Sequence, residues 1–195
     1  MAALVCVFGG GWSRVDDNVP LIRITTDETA DSRRFFIALF NVDHDKDRMM
    51  RTHAAFCSDD ELEEIGRGLM DRTLPKARWT HAAHFAATLW WLRCRPEVDL
   101  SQVMPGMIRA YNESIGGANS DTSGYHETIT QASIRAAWAF LMEAPTGPLY
   151  ETCNALLRSR LGEPDWLMEY WTRERLFSVE ARRAWVEPDI RRLPF

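Results

Sequence analysis

The chain has 195 residues and a net charge of −5, with 46% hydrophobic and 26% charged residues. That length suits one domain, or one domain with an extension, and the composition excludes a disordered chain. The acidic balance gives no global attraction to nucleic acid or to an anionic membrane, and no stretch reaches a transmembrane length of uninterrupted apolar residues.

The four cysteines, Cys6, Cys57, Cys94 and Cys153, are scattered without a CxxC pair. This excludes a zinc ribbon, argues against a disulfide framework and suits a reducing compartment. Ala2–Phe8 is too short for a signal peptide and lacks its basic start. The expectation is a soluble, cytoplasmic protein with a small-molecule ligand, no nucleic-acid partner and no membrane partner.

Residues 1–57 read as an irregular N-terminal extension. Leu4–Phe8 suits a short strand, broken by Gly9-Gly10-Gly11, and Asp16-Asp17-Asn18 reads as a turn. Phe35–Phe40 is a brief apolar run without sustained period. Met49 and Met50 stand just before the patterned region, and one reading starts the natural protein there.

From Ser58 onward the signals are helical. Ser58-Asp59-Asp60-Glu61 has the form of a capping box, opening a helix to about Asp71. A second helix runs from Thr80 to about Cys94, stopped by Pro96. Asp99-Leu100-Ser101-Gln102 looks like a further cap. Behind it Leu100, Met104, Met107, Tyr111 and Ile115 mark one helical face, with Pro105 as a kink site. Ala118–Gly124 is a polar loop. Helices from about Tyr125 to Glu143 and over Leu149–Leu161 follow, then shorter pieces around Trp166–Tyr170 and Ser178–Trp185. The predicted fold class is all-α, a single bundle of about five to six helices over residues 58–195.

Two of these helices are nearly free of charge. Ala82–Leu92 has no charged residue and is apolar on every face, and Thr128–Met142 carries only Arg135. Both therefore read as central helices. Both begin with histidine: Trp79-Thr80-His81-Ala82-Ala83-His84 opens one, Gly124-Tyr125-His126-Glu127-Thr128 the other. Short links predict a down, up, down course that puts the two N-termini at one end. Exposed amides and the helix dipole there favour anions and lower the pKa of a nearby histidine. Neutral imidazoles are what a metal or a general base requires.

His81, His84 and His126 are therefore candidate ligands for one divalent metal, zinc or iron. Glu127, with His126, is the candidate catalytic residue, as a further ligand or as the base that takes a proton from bound water. Trp79, Thr80, Tyr125 and Asp121 are candidate substrate contacts, with Asn119–Ser123 as a polar lip. Two other readings stand beside this metal-dependent enzyme. The same end can bind an anionic or polar molecule without catalysis, or the histidines can form a structural polar network. HxxH alone is a weak signal, and HExxH, a P-loop and GxSxG do not occur.

Seven of the eight Trp lie after residue 78 and read as an aromatic core. The C-terminal arginines, among them Arg182 and Arg183, alternate with glutamates and read as a solvated, salt-bridged surface. Arg109 and Arg135 are weaker candidates for anion partners than for ordinary surface arginines.

The segments Trp79–His84, Arg109-Ala110-Tyr111-Asn112-Glu113 and Ser123–Thr128 together resemble a family of small uncharacterised bacterial helical proteins with W-T-H-x-A-H and G-Y-H-E-T motifs. The resemblance runs from Ser58 to Pro194, including Val186-Glu187-Pro188-Asp189, and stops short of residues 1–57. It implies no mechanism, because the family comes without an established activity; function has to be argued from the site.

Overall fold

The computed structural model of the protein describes residues 55–195. The readings for Leu4–Phe8, Phe35–Phe40 and a start at Met49 or Met50 lie outside these residues. The described residues form seven α-helices and no strand. Five are long: α1 (Asp59–Asp71), α2 (His81–Cys94), α3 (Leu100–Ser114), α4 (Glu127–Glu143) and α5 (Leu149–Arg158). The short helices α6 (Arg173–Leu176) and α7 (Val179–Arg183) complete the C-terminal part, with single 3₁₀ turns at Lys76–Arg78, Arg160–Gly162 and Trp166–Glu169. No helix among the described residues is long and apolar enough to cross a membrane.

The caps follow local chemistry, with one departure. Thr80 Oγ1 accepts the Ala83 N–H at 3.2 Å to start α2, and Asp99 accepts the Ser101 N–H at 3.1 Å to start α3. At α1, however, the Ser58 side chain makes no capping bond. Glu61 reaches back past it to the Cys57 N–H at 3.2 Å, so the reciprocal capping box is not formed. The last turn of α1 closes with Arg72 in the left-handed region, at φ 62°.

Helix α2 is central, as its lack of charge requires. It packs on α1, α4 and α5. Its contact with α1 is close because position 66 is glycine; a Cβ there would collide with the Trp90 indole. Helix α4 packs on α2, α3, α5 and α7, yet it is not buried all round. Trp138 is 48% exposed and Met142 57%, so the charge-free pattern overstates its burial. On α3 the core face is Leu100, Met104, Ile108 and Tyr111, with Met107 and Ile115 only half-buried. Trp166 and Trp171 are fully buried, and an aromatic group of this size removes a large apolar area from water.

Buried polar side chains fasten the two ends of the described chain. Asn154 on α5 accepts the Phe56 N–H at 3.0 Å and donates to the Phe56 carbonyl at 2.7 Å. At the other end, Thr128 Oγ1 donates to Ala184 O at 2.9 Å and accepts from Val186 N–H at 3.1 Å. The Trp171 indole donates to Val186 O at 3.1 Å. These bonds hold the segment after α7 on the first turn of α4. That is how Arg182 and Arg183 come to lie beside a loop almost sixty residues earlier in the chain.

Candidate functional site

The starts of α2 and α4 both lie beside the C-terminal half of α3, but on different flanks. Trp79 packs edge-on against Tyr111, with ring centroids 5.4 Å apart. Glu127 faces Arg109, with Oε2 3.8 Å from the guanidinium. Residues two apart on a helix point to different sides, and Tyr111 is buried whereas Arg109 is exposed. The shared end predicted from topology therefore holds two separate groups.

Each histidine is bonded to its own stretch of backbone. His81 Nε2 lies 3.1 Å from Leu161 O, and His84 Nδ1 lies 2.8 Å from Thr80 O with the tilted Trp79 ring centred 3.8 Å from its own. His126 is the N-cap of α4. Its Nε2 lies 2.9 Å from Leu176 O and its Nδ1 accepts the Ile129 N–H at 3.4 Å. That pair of bonds fixes the neutral tautomer with the proton on Nε2 and commits both ring nitrogens. Burial, reinforced by the Arg182 charge, pushes His126 down to about 4. Burial, then His81, pushes His84 to about 4 as well, and burial lowers His81. The direction matches the sequence expectation, with desolvation rather than the helix dipole as the main cause.

In this arrangement the three predicted metal ligands are each engaged with a backbone carbonyl. His126 has no ring nitrogen left to give. Among the described residues no group of three or more His, Cys, Asp or Glu could hold a metal ion. Glu127 is likewise turned away from the histidines. Its carboxylate accepts the Tyr125 hydroxyl at 2.8 Å and Gln131 Nε2 at 2.9 Å. Burial and this bond raise the Tyr125 phenol above its usual value. Gln131 Nε2 also donates to Ser101 O at 2.9 Å. That carbonyl is free because Pro105, four residues on, has no N–H to offer it. The proline thus ties α3 to α4 through Gln131 and leaves Glu127 as a brace under Tyr125.

Of the predicted substrate contacts, Tyr125 and Asp121 line a cleft of about 200 Å³, together with Arg109, Asn119, Ser120, Arg182 and Arg183. Trp79 and Thr80 do not; one packs on His84 and the other caps α2. The cleft wall is the polar loop before α4. Asn119 holds it by accepting the Tyr125 N–H at 3.1 Å and an Asn112 amide N–H at 3.0 Å, while donating to Arg109 O and to Glu113. Gly124 adopts φ 75°, where a Cβ would collide with the Ala118 carbonyl, so glycine is required for the chain to turn into Tyr125.

Three guanidiniums meet here in three different states. Arg109 lies 4.0 Å over the Tyr125 ring and faces Glu127. Arg183 is exposed and grips Asp121 side-on, with Nε 2.8 Å and Nη2 2.7 Å from the two carboxylate oxygens. Arg182 is only 7% exposed, which corrects its reading as a solvated surface residue. Its Nη1 donates to Gly124 O at 3.2 Å and Tyr125 O at 3.0 Å. Its Nε–H is buried without a hydrogen-bond partner, the one such side-chain atom among the described residues. Burial pulls its pKa down, and the nearby Asp121 charge works in the opposite direction.

No local pattern in the sequence separates Arg182 from Arg183. The two are neighbours on a five-residue helix, one facing in and one facing out. No protein-family model, no curated protein and no solved structure matches this chain, so the family resemblance rests on the quoted motifs alone.

Proposed function

We propose that the protein binds a small anionic molecule in the Arg182 cleft. The observation that carries this reading is the buried Arg182 Nε–H, which has no hydrogen-bond partner. Arginine binds carboxylates and phosphates through two parallel N–H bonds, and the Nε/Nη2 edge is one of its standard forks. In Arg182 the other nitrogen, Nη1, is committed to two backbone carbonyls, which fixes the plane of the group. A buried charge with an unpaired donor is costly, and an incoming anion would offset that cost. The reading of a water-activating metal site has less support, because His126 commits both ring nitrogens to the backbone.

The test is a titration of the ¹⁵N-labelled protein with acetate, followed at the arginine Nε–H resonances. Chloride at equal ionic strength is the control. Acetate should shift the Arg182 Nε–H signal saturably, and Arg182→Met should both identify that signal and lower acetate affinity more than tenfold, the scale of a lost charge-assisted pair. A shift that never saturates, or one shared equally by all arginines, would overturn the reading.

A further inference from the structure

We infer that the cleft selects monocarboxylates over dianions, and that Asp121 is the residue that sets this selectivity. The inference rests on the anion-binding reading above and names its ligand class. Each guanidinium that lines the cleft has a definite charge partner, except one. Arg109 faces Glu127, and Arg183 holds Asp121. Glu113 accepts an Asn119 hydrogen bond but does not line the cleft. Asp121 is the carboxylate whose charge reaches Arg182, and both of its oxygens are already on Arg183.

One positive charge is therefore left uncompensated, and one negative charge completes the balance. A dianion would bring a second negative charge next to Asp121, with no cation left to answer it. The geometry agrees with the charge. Asp121 sits on Arg183 through Nε and Nη2, and on Arg182 the Nε–H stands without a partner. The chain thus already displays a carboxylate on the arginine one residue away from Arg182.

Asp121 belongs to a loop with its own internal order. Ser120 accepts the Thr122 and Ser123 N–H groups at 3.3 and 3.2 Å, and its own N–H donates to Ser123 O at 3.0 Å. This turn presents the carboxylate to Arg183 without help from the ligand, so its charge is in place before binding.

Isothermal titration at constant ionic strength with butyrate and with sulfate tests the inference. Wild-type protein should bind butyrate at least about tenfold more tightly than sulfate. In Asp121→Asn both anions should gain. The gain in log affinity scales with ligand charge, so the gap should narrow about tenfold. Arg183→Gln does the reverse: it leaves Asp121 unpaired, and sulfate should weaken more than butyrate. Sulfate binding as tightly as butyrate to the wild type overturns the selectivity while leaving the cleft an anion site. A gap unchanged in both variants removes Asp121 from the role. If neither anion binds any of the three proteins, the anion-binding reading fails as well.

Discussion

The histidine groups lie at the starts of α2 and α4, the arginine cleft lies beside the start of α4, and both regions are polar. They differ in what their polar atoms have left to do. Among the described residues every histidine ring is hydrogen-bonded to the backbone, and His126 is bonded at both nitrogens. In the cleft, the Arg182 Nε–H has no partner while Nη1 is pinned by two backbone carbonyls. Satisfied buried groups hold a fold in one arrangement. An unsatisfied buried charge instead marks a place where the fold has accepted a cost. Residue type alone, histidine against arginine, does not tell which polar atoms the fold leaves without partners.

This contrast can be broken at the histidine end most directly. His126→Ala removes the α4 cap and leaves Leu176 O and Ile129 N–H without partners, so it should cost about 3 kcal/mol. Urea unfolding measures this. A loss below about 0.5 kcal/mol, the scale of an ordinary surface substitution, would show that the imidazole is not structural.

Acid offers a second test of similar size. The folded pKa of His126 lies at about 4, below the unfolded value of about 6.5. The unfolded chain therefore binds more protons between these values, and stability is present above pH 6.5 and falls as pH drops toward 4. A difference of two to three units corresponds to about 3 kcal/mol. Denaturation curves at pH 7 and pH 4 should show the decline, and His126→Ala should decline by about 3 kcal/mol less than the wild type. Equal declines in the two proteins would contradict a buried neutral His126.

The smallest effect is expected at the rim of the cleft. Arg183 and Asp121 are both exposed, and exposed ion pairs contribute about 0–1 kcal/mol. Arg183→Gln should thus change unfolding free energy by less than about 1 kcal/mol while weakening anion binding. A large stability loss would mean that this pair holds the loop, and the two regions would no longer differ in kind.

Much of the fold was legible because it depends on short-range pattern. The caps at Thr80 and Asp99, the helix ends and the burial of α2 all follow from neighbours along the chain. The Ser58 cap failed because a second local solution existed, in which Glu61 bonds Cys57 instead. The burial of α4 was overstated because a lack of charge does not compel burial, and Trp138 shows it. Of the residues named from the sequence, Tyr125 and Asp121 line the cleft, whereas Trp79 and Thr80 lie at the start of α2.

The sequence by itself determined that residues 58–195 form helices with caps and breaks at readable positions, that α2 is central, and that histidines open both charge-poor helices. Only the tertiary structure decided what those histidines touch and which arginine is buried. The Thr128, Ala184 and Val186 bonds bring α7 to the α4 loop, and one turn of a five-residue helix then separates an inward Arg182 from an outward Arg183. Helical periodicity is a local property, whereas the partners of a buried polar group come from wherever the chain returns.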